Sequence, residues 1–144
     1  MAGTQKVYGP GEDTEQETRT VLTTAARTKG DVVLVVNGET GPEDLTVASS
    51  ASVRQQAGVH LYDADSGTRT VVVTRGPVQA TVTSGSFTSG NGIEMDGANV
   101  EDSGGSYAGD VGEAATDFAI AMEDGTTVTT LKICLRGDPF TSTT

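Results

Sequence analysis

The chain has 144 residues, Asp+Glu 20 against Lys+Arg 9, a formal net charge of −11, one cysteine, one histidine and no tryptophan. That charge excludes a nucleic-acid or anionic-membrane surface, because a phosphate backbone or acidic headgroups would repel it. The lone Cys134 excludes an internal disulfide and any multi-cysteine zinc site.

The size suits one domain. Aromatics make up 4% of the chain. The core must therefore come from Val, Leu, Ile and Ala, with 19 glycines to supply tight turns. β-Branched residues and glycine turns point to an all-β domain. Few lysines, many carboxylates and small aliphatics resemble the composition of proteins from halophilic archaea and their viruses. At ~1 M salt the screening length falls to ~3 Å, so a large negative charge is tolerated.

Residues 1–19 are polar and punctuated by Gly and Pro, with acids at Glu12, Asp13, Glu15 and Glu17. They read as an extended or flexible arm, without the apolar stretch of a secretion signal. Residues 20–137 read as the β domain and 138–144 as a tail. Thr20–Ala26 is a short β-prone segment. Asp31–Val36, DVVLVV, is a continuous apolar run expected to be a strand buried on both faces, closed by a tight turn at Asn37-Gly38. Leu45–Ala48 predicts a further strand, and Ser49–Gln56 at most one helical turn.

Gly58–Pro77 follows, with apolar Val59 and Leu61, an acidic turn at Asp63 and Asp65, then Gly67. A β-rich run from Thr68 ends at Arg75-Gly76, where Gly76-Pro77 is expected to break it. Val78, Ala80 and Val82 alternate with Gln79, Thr81 and Thr83, predicting a half-buried strand. Ser84–Gly92 reads as a loop, Ile93–Asp96 as a strand and Asn99–Gly112 as an exposed loop. Asp117–Pro139 then repeats the earlier grammar: Phe118 and Ile120, an acidic turn at Glu123 and Asp124, Gly125, and a run closed by Arg136-Gly137. Leu131, Ile133 and Leu135 should line one face of the longest strand. The turn glycines are about 58 residues apart and the Arg-Gly pairs about 61, which suggests one strand–turn–strand unit used twice. No apolar stretch approaches the ~20 residues of a membrane-spanning helix, and no helical periodicity persists beyond two turns. The fold expected is a small single-domain β-barrel or β-sandwich of about eight to ten short strands with an extended N-terminal arm.

Catalytic parts are scarce. His60 alternates against Val59 and Leu61 and is expected to point outward, as a surface or interface residue. Ser106 falls one residue short of a nucleophile elbow and lacks the strand–turn–helix setting. Asp63-x-Asp65-x-Gly67 starts like a calcium loop, but its twelfth position is Thr74 rather than the glutamate required. Neither an enzyme nor a cofactor or metal site is expected. Arg75 and Arg136, in the repeated unit, are interface candidates because arginine is enriched in interfaces. Tyr8 and Lys6 in the arm, and His60, complete that set.

The motif order resembles that of one family. Lys29–Val36 carries Lys-Gly-Asp before an apolar run; Gly58–Gly67 reads Gly-Val-x-Leu-x-Asp-Ala-x-x-Gly. Thr68–Gly76 is a valine-rich strand ending in Arg-Gly; Val78–Val82 reads Val-x-Ala-x-Val. Ser84–Ile93 and Ala119–Gly125 complete the series. Over roughly residues 20–136 the chain resembles the small capsid decoration (cement) proteins of tailed viruses. The composition adds a haloarchaeal virus as the setting. The resemblance implies a non-enzymatic β domain on the outer surface of the capsid. Its partners would be the major capsid protein and copies of itself, usually as a trimer. The alternatives are a turret, fibre or adhesin-type surface-binding β module, and more remotely a metal-binding or catalytic β-barrel. Sugar binding is disfavoured by the shortage of aromatics to stack on a ring.

Overall fold

In the computed structural model, described for residues 16–46, 54–96, 99–107, 117–137 and 140–141, every regular element is a strand. β1 (Glu17–Leu22), β2 (Val32–Gly38), β3 (Gly41–Thr46), β4 (Arg54–His60) and the first part of β5 (Arg69–Phe87) make one half. The rest of β5, β6 (Asn91–Asp96), β7 (Asn99–Ser106), β8 (Asp117–Ala121) and β9 (Gly125–Arg136) make the other. β10 (Phe140–Thr141) pairs with the start of β4.

The first half closes on itself. β2 pairs antiparallel with β3 and β4, β4 with β5, β5 with β1, and β1 meets β3 in parallel at Leu22 and Glu43. That is a five-stranded barrel. It is filled by Val21, Val33, Val35 and Val72, all at most 4% exposed. The opposite faces of the same strands carry Leu34, Ala57, Val59 and Val73, which join the larger core shared with the second half. The DVVLVV run is therefore buried on both faces from Val33 to Val35, as its lack of alternation requires.

The second half repeats the first with an offset of about 60 residues. Val32 pairs with Val59, and Gly92 with Ile120. Val35 pairs with Asp44, and Met95 with Val100. Val59 pairs with Val73, and Ile120 with Cys134. Val21 pairs with Thr70, and Ala80 with Leu131. The loops repeat too: Asp63 Oδ1 accepts the Lys29 N–H at 2.8 Å, and Asp124 Oδ1 accepts the Ser89 N–H at 2.8 Å. The duplicated unit is thus five strands, larger than the strand–turn–strand unit legible in the sequence. Its register also differs from the spacing of the turn glycines. Gly67 has φ 80°, and the left-handed residue at that point of the second unit is Thr127 with φ 54°, not Gly125.

Several expected boundaries move for the same reason. Gly76-Pro77 does not end a strand: β5 runs 19 residues, and β9, with 12, is not the longest. Gly76 takes φ 101°, open to glycine, and Pro77 stays in the ladder opposite Cys134. Strand β5 extends to Phe87, and β7 occupies much of the expected loop 99–112. The hairpin after β2 turns at Glu39-Thr40, two residues past Asn37-Gly38. β1 begins at Glu17, inside the stretch read as the arm, and Arg54–Gln56 is strand rather than helical.

Close packing inside the barrel generates a prediction. A Cβ at Gly58 would lie 2.9 Å from Val72 Cγ2 and 3.1 Å from Val35 Cγ2. Gly58→Ala should cost about 1–3 kcal/mol in chemical denaturation, the usual range for overpacking. Gly105→Ala, with nothing within 4 Å of the new methyl, should stay within about 0.5 kcal/mol of the parent.

Candidate functional site

Two places concentrate the chain's unusual side chains: the junction of the halves and the interior of the first barrel. At the junction, β5 and β9 pair Arg75 directly opposite Arg136. These are the equivalent arginines of the two repeats, about 61 residues apart like the paired positions Val59–Val73 and Ile120–Cys134. Like charges directly opposite in a ladder repel. The side chains are spread by other contacts. The Arg136 guanidinium lies 5.8 Å from the Tyr107 ring centroid, a cation–π contact. Arg75 Nη1 donates to the Arg136 carbonyl at 3.4 Å. Nearby, Arg19 Nη1 donates to Gln56 Oε1 at 3.0 Å, and Gln56 Nε2 donates to the Gly137 carbonyl at 3.0 Å. Among the described residues neither Arg19 nor Arg136 meets a carboxylate. The structure thus brings Arg75 and Arg136 together, half-buried, where the two halves join, a place called the waist below. Lys6 and Tyr8 lie outside the described residues.

His60 corrects the sequence reading. It is 1% exposed and faces the barrel interior, so it cannot meet a partner from this position. Alternation was sound; the assumption that one face of β4 is wet was not, because β4 is covered on both sides. Its Nε2 lies 2.8 Å from Asp44 Oδ2. Asp44, fully buried on β3, also takes Arg27 Nε at 2.9 Å and Arg27 Nη2 at 3.1 Å, a two-pronged ion pair. The Thr24 N–H adds a bond of 2.7 Å to Asp44 Oδ1. Arg27 Nη2 also donates to Thr24 Oγ1 at 3.1 Å. His60 Nδ1 is buried with no hydrogen-bond partner.

Burial alone would raise the Asp44 pKa. The bonds from His60, Arg27 and Thr24, with the Arg27 charge, outweigh it and hold the carboxyl well below the usual carboxylate range. Asp102 is also lowered: burial opposes, but the Thr88 and Gly104 N–H groups and Asn91 prevail. Among the described residues no three His, Cys, Asp or Glu side chains gather as metal ligands. Asp63 and Asp102 instead cap backbone N–H groups.

The Asp44 cluster is closed to solvent, so what it does chemically is to hold charges rather than meet a reactant. Asp44 and Arg27 were not singled out from sequence. Only the repeat, aligned at the right register, would have exposed them: the positions matching Arg27, Asp44 and His60 are Phe87, Val100 and Ala121, all apolar.

Asp44→Asn leaves Arg27 as a buried charge without its counter-ion and should destabilise by about 3–5 kcal/mol in urea unfolding at neutral pH. A depressed carboxyl pKa stabilises the fold fully above the unfolded-state value of ~3.9 and loses that contribution as pH falls toward the lower folded value. The difference between parent and variant should therefore be constant above about pH 5 and shrink below it. A difference unchanged down to the lowest pH at which the parent folds would contradict the electrostatic assignment.

No protein-family model matches the chain, and no curated protein sequence matches it. Among solved structures it is similar to the N base of the head fiber gp8.5 of bacteriophage phi29, with a TM-score of 0.55 and 12% identity. The match covers 87% of this chain and 98% of that one. At that identity the likeness is one of fold: an all-β domain matched along nearly its whole length.

Proposed function

We propose that this chain is a structural, non-enzymatic virion protein that binds the outer surface of a viral capsid and stabilises it, as a decoration protein. The observation that carries the reading is the fold shared with the phage head-fiber base over 87% of the chain. The motif order of the sequence points independently to capsid decoration proteins. The physics is compatible. A shell offers many identical sites, so weak contacts act together. In concentrated salt the repulsion among chains of charge −11 is screened. The partners are the major capsid protein and further copies of this chain, in a trimer. The waist arginines Arg75 and Arg136 are the proposed contact on the folded domain, and the acidic first residues the proposed contact with a neighbouring subunit. A second reading, the base of a fibre or turret, is favoured by the neighbour being itself a head-fiber base.

The binding test uses particles of a virus lacking this chain, mixed with purified protein at native salt. Saturable co-sedimentation is expected, with genome release shifted to higher temperature. Arg136→Glu should weaken binding about tenfold or more, as truncation of an interface arginine does. Undiminished binding would remove the waist from the interface. Deleting residues 1–15 should lower the heat stability of decorated particles; no change would exclude the first residues from the lattice. Failure of the unaltered chain to bind would remove the decoration role itself.

A further inference from the structure

The two halves share the order of their antiparallel pairings and their loop capping, yet their interiors differ in polarity at one place. In the first half Arg27, Asp44 and His60 form a buried ion-pair cluster. In the second, the matching Phe87, Val100 and Ala121 belong to the apolar core, at 4%, 6% and 1% exposure. The equivalence follows from pairing. Arg27 bridges Ala64 as Phe87 pairs with Gly125. Asp44 opposes Val35 as Val100 opposes Met95. His60 opposes Val72 as Ala121 opposes Ile133. A related set of strand pairings thus holds an all-apolar solution at this place.

A duplicated chain has a hazard that a single unit lacks. During folding, β7 can offer itself where β3 belongs, and β3 where β7 belongs, within one chain or between two. Hydrogen bonding alone would discriminate weakly, because the strand pairings recur, although the β6–β7 hairpin is four residues shorter than β2–β3 and carries a register shift. The cluster tells them apart. With β7 in the first barrel, Val100 would face Arg27 and His60 and leave a buried guanidinium without its counter-ion. With β3 in the second half, Asp44 would lie against Phe87 and Ala121 with no donor. Each error strands a charge in an apolar interior, where its solvation loss is uncompensated. We propose that the Arg27–Asp44–His60 cluster is a recognition device between the chain's own segments. It assigns β3, β4 and the β1–β2 connection to one another and rejects their counterparts from the second repeat. It does not act against like-for-like exchange between two copies, in which Asp44 meets another chain's Arg27 and His60.

The test compares three full-length chains refolded from denaturant under the same conditions. The first is the parent. The second carries Arg27→Phe, Asp44→Val and His60→Ala, which makes the two interiors alike. The third adds Phe87→Arg, Val100→Asp and Ala121→His, which moves the cluster to the other half. The readouts are melting temperature, refolding rate and the yield of native monomer or native oligomer by size-exclusion chromatography. The second chain should fold and melt no lower than the parent, because well-packed apolar residues replace a buried ion pair without loss. Its native yield should nevertheless fall roughly three-fold or more, with misassembled species and slow phases taking up the difference. The third chain should recover the parental yield. Equal yields for the parent and the second chain would overturn the proposal. So would failure of the second chain to fold, which would make the cluster a requirement of the first barrel. Failure of the third chain to restore the yield would also contradict it.

Discussion

Strand β5 belongs to both halves of the molecule, and the arrangement follows from that. Its first residues close the five-stranded barrel against β1 and β4; its later residues pair with β9 in the second half. A strand of 19 residues is roughly three times the usual length. It persists because Gly76 bends it at φ 101° and because neighbours cover it on both sides. Two features that relate the halves are fixed there: the opposition of Arg75 and Arg136, and the placing of the acidic turns at opposite ends of β5. A core common to both halves then grows around it.

The junction that β5 creates is also where several of the chain's arginines gather. An acidic protein concentrates Arg19, Arg75 and Arg136 at one level, and holds Arg136 against a tyrosine rather than a carboxylate. Guanidinium groups with aromatic support favour interfaces because they are weakly hydrated and geometrically fixed. The buried cluster in the first barrel uses arginine differently. Arg27 meets Asp44 through two parallel bonds in a dry interior, where loss of either member exposes the other to the full desolvation penalty.

Composition alone carried the fold class, since valine-rich alternation with glycine turns has few other outcomes. The repeat was legible through its Arg-Gly pairs, whose spacing is the offset the structure shows, and through its turn glycines, whose spacing is not. A glycine marks a turn, whereas the conserved geometry sits in φ, and Thr127 adopts it without being glycine. Gly76-Pro77 read as a stop because each residue normally ends a strand. Only the covering strands show that the chain bends and continues. The placement of His60 failed for a related reason. Period-two alternation says which residues share a face, not whether that face is wet, and β4 is buried on both sides from Ala57 to His60. Asp44 lay hidden in Pro42-Glu43-Asp44-Leu45, where a carboxylate in a polar hairpin looks solvated.

The most direct test of the virion reading is a copy number. Purified particles from the source, kept at native salt, would be digested and measured by quantitative peptide mass spectrometry. This chain would be counted per copy of the major shell protein. A decoration role predicts a ratio near one or a simple fraction of it, because such a protein occupies the repeated positions of the shell. A handful of copies per particle would point to a fibre or vertex role instead. Complete absence from the particles would contradict the virion assignment.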